Sequence, residues 1–245
     1  HDALPILLLF GTNFIVYFRL VKGDGLKSLR HGEVRLYYAV ALSAILLITL
    51  NTIPHYGGVG MALRHASFQV SSIMSTTGYS TSDFDLWPQF SRILLLMLML
   101  MGSCAGSTAG GIKVVRLALL GKLSAREVSR SVQPRKVKLI KLDKETVDED
   151  TLRSVLVFFV LYMAMLLLGT LLVSLDGVNF TTSFSATAAC LSNVGPGLSL
   201  VGPMANYGHF SFGVKYLLSF LMLLGRLEFI PMLLLFSPAV WRRGH

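Results

Sequence analysis

Two Ser/Thr-rich stretches offer oxygen ligands in a chain otherwise short of polar side chains. The first, "SSIMSTTGYS" (71–80), carries Thr76, Thr77, Gly78 and Tyr79; the second, "AACLSNVGP" (188–196), carries Asn193, Val194 and Gly195. Setting Gly78 over Gly195 aligns them, each a short helix-compatible run closed by glycine. A third stretch, "GSCAGSTAGG" (102–111), holds Gly102, Gly106, Gly110 and Gly111, and a single cation, Arg226, sits deep in an apolar run. Carbonyl oxygens gathered after a short helix can replace the water around a dehydrated alkali cation. The C-terminal end of such a helix carries about half a negative charge, which suits the same guest. Glycine is needed where successive carbonyls turn toward one axis, because only a residue without Cβ visits φ > 0 at little cost.

The composition says what must hold these stretches. The chain has 245 residues, 53% hydrophobic and 14% charged, against roughly 25% charged in soluble domains. Apolar runs at 36–53, 93–112, 156–175 and 214–236 have about the length of a membrane helix. A fifth run, 3–18, reads as the end of a helix that begins earlier. The opening His1-Asp2, with no initiator Met and no signal-peptide pattern, reads as the start of a fragment or of the C-terminal part of a longer protein. Cys104 and Cys190 have no metal spacing and read as free thiols.

Charge sets the orientation. The net charge is +9, and between Lys113 and Lys144 ten Lys or Arg face only Glu127 and Asp143. That concentration is the footprint of a cytoplasmic loop and argues against a nucleic-acid partner. Arg19, Lys22, Lys27, Arg30 and Arg35 surround the first linker, and Arg242 and Arg243 lie near the end. The 176–213 connection has no Lys or Arg, and 55–90 has Arg64 alone. Positive-inside counting places the basic linkers and the C-terminus in the cytoplasm, with both Ser/Thr-rich stretches outside. The predicted fold is an all-α membrane protein of repeated helix–re-entrant pore loop–helix units. Residues 1–33 are the end of a preceding helix plus linker, 34–121 one unit, 122–149 a basic cytoplasmic linker and 150–245 the next unit. Tyr37, Tyr38, Trp87 and Trp241 are expected at the lipid interface.

A half-length helix can enter from outside, point its C-terminus at the membrane centre and hand over to extended backbone. Such backbone survives at that depth only when buried in protein or lining water. Thr76-Thr77-Gly78-Tyr79 resembles the Thr-Val-Gly-Tyr-Gly filter of potassium channels. The competing reading makes both stretches extracellular loops with amphipathic surface helices; their matching positions between helix pairs weigh against it. In the second loop Pro196 stands where Tyr79 stands in the first, which puts Na⁺ exclusion in doubt.

The segment 91–122, drawn as one helix, would run about 48 Å at 1.5 Å per residue, against a hydrocarbon core of roughly 30 Å. Four glycines between Gly102 and Gly111, each costing about 1 kcal/mol in a helix interior, predict an unwound loop halfway. It can act as a gate under the filter. Close helix packing through small residues and a phosphate-binding nest are the alternatives, the latter without a Walker lysine pattern. Arg226 cannot share a face with Glu228 at i+2; its expected partners are carbonyls of the unwound loop, or those of another helix in a purely structural role. Pro231 predicts a kink. The 113–150 loop serves topology, or docks an acidic partner or anionic lipid.

The segments "STTGYSTSDFDLWPQF", "MGSCAGSTAGGIKVVRLALL", "LSNVGPGL" and "LLGRLEFIPMLLLF" closely resemble the bacterial Trk/Ktr superfamily of potassium-uptake membrane subunits, closest to its TrkH branch. The match runs over essentially the whole chain and corresponds to the last two of four helix–loop–helix repeats. The resemblance implies gated K⁺ translocation across the bacterial inner membrane, with K⁺ held by backbone carbonyls of Thr76, Thr77, Asn193 and Val194. It further implies a gating role for Gly102, Gly106, Gly110, Gly111 and Arg226. Expected partners are the missing N-terminal half, a second protomer in a homodimer, a cytosolic nucleotide-binding TrkA-like ring, and membrane lipid. No organic cofactor is expected. A Na⁺- or H⁺-coupled symporter is the alternative, for which only Glu228 offers a buried acid. An intramembrane enzyme would need a nucleophile–base pair or metal cluster, and His55, His65 and His209 lack helical ligand spacing. A non-conducting scaffold would not need two re-entrant segments.

Overall fold

The long apolar runs become helices that wrap two short polar ones. The computed structural model describes residues 3–22, 31–133, 139–142 and 145–227. In chain order these form α1 (Ala3–Phe10), α2 (Phe14–Val21), α3 (Gly32–Tyr56), α4 (Val59–Met74), α5 (Gln89–Met101) and α6 (Val114–Val132). A minimal antiparallel hairpin follows, β1 (Lys141–Leu142) with β2 (Glu145–Thr146). Then come α7 (Glu149–Val173), α8 (Phe180–Leu191) and α9 (Phe212–Leu227). The order long helix, short helix, extended tail, apolar helix thus occurs twice. Glu228, Pro231, Trp241, Arg242 and Arg243, together with Lys27 and Arg30, lie outside the described residues.

At 25 residues each, α3 and α7 span about 37 Å and are apolar enough to cross a membrane. Helix α3 stops at Gly57, whose φ of 66° is a left-handed cap and whose N–H returns to Ile53 O at 2.9 Å. That tight stop lets α4 pack back along α3. Asn179 opens α8 by accepting the Thr182 N–H at 2.8 Å, an N-cap that satisfies an otherwise orphaned donor.

The short helices are the unusual part. Ser71, Ser72 and Ser75 on and after α4, and Ser183, Ser185 and Thr187 on α8, are all buried. Hydroxyls survive there because each finds a carbonyl, most of them one turn back: Ser71 on Ser67 (2.6 Å), Ser75 on Ser71 (2.7 Å), Thr187 on Ser183 (2.8 Å), whereas Ser72 and Ser185 reach forward to Tyr79 O (2.6 Å) and Leu198 O (3.2 Å). Around them one core joins both halves, from Tyr37, Ile48, Ile73 and Leu95 to Leu166, Leu191, Leu218 and Leu221.

Two expected lipid anchors are core residues instead. Tyr37 is fully buried and donates its hydroxyl to Leu8 O, where the first helix is about to break. Trp87 is buried with its indole N–H on Tyr56 Oη at 2.9 Å. In both, a polar tip with an internal partner outweighs the preference for the interface.

The described parts of the basic linker are built into the fold. Helix α6 carries it as far as Val132, and the hairpin folds over the start of α7 to make a second small core of Leu119, Ile140, Leu152 and Val155. Arg126 ties α6 to α7 through both oxygens of Glu149, at 2.5 and 3.2 Å.

Candidate ion site and gate

The tails after α4 and α8 have the same backbone design. Ser75, Thr76 and Thr77 donate their N–H groups to Ser71, Ile73 and Ser72; Ser192, Asn193 and Val194 donate to Ala188, Cys190 and Ala189, residue for residue. This is a Schellman termination, with Thr76 (φ 56°) and Asn193 (φ 58°) in the left-handed position where glycine is usual. A β-branched residue there is an outlier costing on the order of 1–3 kcal/mol, and such strain gathers at functional sites. Two residues on, Gly78 (φ 77°) and Gly195 (φ 103°) bend the chain again.

The tails meet. A Cβ built on Gly78 would collide with the Val194 carbonyl oxygen and press on Pro196 Cδ at 3.1 Å. Among the described residues, no donor reaches the carbonyl oxygens of Thr76, Thr77, Gly78, Asn193 or Val194. The next carbonyls are occupied: Tyr79 O accepts from Ser72 Oγ, and Gly195 O from Tyr207 Oη, each at 2.6 Å. Of the residues picked from sequence, Tyr79 is 70% exposed, and Gly106, Gly195 and Arg226 are exposed as well. Sequence reasoning missed the props: Ser72, Tyr207, and Asp85, which accepts from Ser199 N–H of the second loop (3.0 Å) and Arg92 (2.7 Å).

Beneath the tails lies the glycine-rich loop. Helix α5 ends at Met101, α6 begins at Val114, and the segment between is a closed loop. Its ends zip through Ile112 N–H to Leu100 O (3.1 Å) and Lys113 N–H to Met101 O (2.9 Å). Gly102 (φ 69°) and Gly111 (φ 80°) make the two reversals, and their approach leaves no room for side chains. One flank is pinned to the break between α1 and α2: Cys104 N–H to Gly11 O (3.1 Å) and Phe14 N–H to Gly106 O (3.2 Å). Glu33 accepts the Ala105 N–H on that flank. The other flank touches both tails. Gly110 donates its N–H to Thr76 Oγ1 at 3.3 Å, and a Cβ on Gly110 would strike the Ser192 carbonyl oxygen.

Arg226 completes the arrangement by donating from Nη1 to the Thr108 carbonyl oxygen of that loop. Its neighbour Gly225 lets α9 approach the end of α8, since a Cβ there would overlap the Leu191 carbonyl oxygen. Asn193 Nδ2 donates to Met222 O at 3.1 Å on the same helix. Filter-like tails, loop and arginine therefore form one connected set.

Residues 38–243 match the TrkH family, described as a cation transport protein. The "Trk system potassium uptake protein TrkH" of Salmonella typhimurium is 37% identical over 239 residues, covering 96% of this chain and 49% of that protein. The "Trk system potassium uptake protein TrkG" of Escherichia coli K12 is 32% identical, with 96% of this chain and 48% of that protein covered. The crystal structure of the potassium transporter TrkH from Vibrio parahaemolyticus superposes with a TM-score of 0.89 at 34% identity, covering 98% of this chain and 52% of that one. The chain spans about half the length of the relatives it matches.

Proposed function

Since the chain belongs to the TrkH family of cation transport proteins, we propose that it contributes two of four pore units to a gated potassium conduit in a bacterial inner membrane. The observation that carries this reading is the pair of identical terminations at Thr76 and Asn193, with Gly78 against Val194 and carbonyls left without donors. A K⁺ ion entering from outside exchanges water for the carbonyls of Thr76, Thr77, Asn193 and Val194. The helix ends of α4 and α8 point about half a negative charge each at it. A membrane potential worth about 2.3 kcal/mol per charge per 100 mV drives it inward.

The loop with Gly102, Gly106, Gly110 and Gly111 is the gate, and Arg226 latches it through Thr108. The pore units are 34–121 and 150–245, following a helix end and linker at 1–33 and joined by the cytoplasmic linker 122–149. The remaining two units come from the N-terminal half of the whole protein. That protein works as a homodimer whose opening a cytosolic nucleotide-binding TrkA-like ring controls, docking on the basic linker.

Rubidium uptake by the full-length protein in vesicles tests the reading. Uptake driven by potential alone supports the conduit. Uptake that requires a Na⁺ or proton gradient replaces it with coupled symport, and no uptake refutes both.

A further inference from the structure

The two tails are built alike up to Gly78 and Gly195 and are held differently beyond them. With Gly78 set over Gly195, Ser72 stands over Ala189. Ser72 Oγ donates to Tyr79 O at 2.6 Å and fixes the first tail from its own helix. Ala189 carries no hydroxyl, so α8 cannot do the same from that position.

The second tail has the greater need of such a prop. Pro196 has no N–H, which leaves the Gly195 carbonyl as the only polar group of the peptide joining the two residues. Gly195 has φ 103°, and a Cβ built on it meets no described atom within 4 Å. Side-chain packing at Gly195 therefore does not hold that peptide, and its oxygen is the handle left. Tyr207 takes it, donating from Oη to Gly195 O at 2.6 Å.

Tyr207 comes from a turn that both halves share. Residues Phe84–Leu86 and Tyr207–His209 form matching 3₁₀ turns just ahead of α5 and α9. Each opens on an Asx cap, Asp83 accepting the Asp85 N–H at 3.0 Å and Asn206 the Gly208 N–H at 2.8 Å. Each closes on a buried aromatic, Trp87 or Phe210. The first position of the turn is Phe84 in one half and Tyr207 in the other. The half with Ser72 thus has Phe84, and the half with Ala189 has Tyr207: one hydroxyl for each tail, from opposite sides. Lys215 Nζ on Gly208 O and Asp176 on the Ser211 N–H, each at 2.8 Å, steady the second turn.

We infer that Tyr207 is a positioning residue of the ion path, a role that rests on reading the tails as a filter. Its hydroxyl keeps Gly195 O turned away from the cation and fixes the peptide that follows Val194, so the carbonyls of Asn193 and Val194 hold their aim. The outer end of the filter is then asymmetric. Gly78 O has no donor among the described residues, whereas Gly195 O is taken.

Competitive uptake by the full-length protein in vesicles tests this, with rubidium as tracer and Na⁺ as competitor. Tyr207→Phe keeps the ring and removes the donor. Loss of one such hydrogen bond corresponds to roughly a two- to twelve-fold change, and discrimination of Rb⁺ over Na⁺ should fall by that factor. Adding Ala189→Ser supplies a hydroxyl from α8, as Ser72 does from α4, and should recover part of the loss. An unchanged ratio in Tyr207→Phe overturns the inference. So does a lower uptake at an unchanged ratio, which marks a structural role alone. Either result leaves the conduit standing, because the parent still takes up Rb⁺; a parent without uptake removes both.

Discussion

Replacing Arg226 with Gln removes the α9 guanidinium that donates to the glycine-rich loop. The bond from Nη1 to Thr108 O has a charged donor, and such bonds contribute about 1.5–3 kcal/mol net. If the shut loop loses that much while the released loop loses nothing, the shut-to-open ratio falls by roughly 12- to 150-fold. Other ties remain on the opposite flank, at Gly11, Phe14 and Glu33, so the loop does not unfold. If the cation passes Arg226 as proposed, loss of its positive charge acts in the same direction. Rubidium uptake by proteoliposomes without any regulatory subunit should therefore rise by at least an order of magnitude in Arg226→Gln. Arg226→Lys separates the two effects, because an ammonium keeps the charge but loses the planar fork; it should open the loop less. Uptake in Arg226→Gln equal to that of the parent would refute the latch.

Three further outcomes are expected. Gly78→Ala places a Cβ against the Val194 carbonyl at φ 77°, whereas a Cβ on Gly195 meets nothing within 4 Å. Both variants carry about 1–2 kcal/mol of left-handed strain, but Gly78→Ala should lose more K⁺ over Na⁺ discrimination in competitive flux. Asp85→Ala removes the acceptor that ties the first loop to Ser199 N–H of the second and to Arg92 of α5, and should cost about 1–2 kcal/mol, read as an earlier thermal unfolding midpoint. Asp85→Asn retains an acceptor and should recover most of it. Glu33→Ala frees the Ala105 N–H from its carboxylate and should raise resting uptake several-fold, with Glu33→Gln intermediate; an unchanged rate would remove Glu33 from the set that holds the loop.

The register of the two polar stretches is readable in one dimension because each rests on local rules. A short run of Ser, Thr and Ala can be helical, and a glycine after it marks where the helix must end. Setting Gly78 over Gly195 is the alignment in which the terminating hydrogen bonds correspond one for one. The broken helix is legible for a similar reason, since four glycines in one span cannot be offset by any local gain, and α5 does stop at Met101. Contacts between distant segments are not legible. Glu33 on Ala105 and Asp85 on Ser199 join residues 72 and 114 positions apart, and each depends on how whole helices pack; Arg226 on Thr108 is the exception, since a lone cation in an apolar run and an unwound loop of free carbonyls pointed to each other. Tyr37 and Trp87 show the opposite failure. Their type and depth fit a lipid belt, yet an internal acceptor for each polar tip drew them into the core.

The account depends on a dehydrated cation sitting where the two tails converge. Anomalous diffraction from crystals of the full-length protein grown in rubidium locates such an ion directly. Peaks flanked by the carbonyl oxygens of Thr76, Thr77, Asn193 and Val194 are predicted. Rubidium found only at surface carboxylates, with the space between Gly78 and Val194 empty, would contradict it.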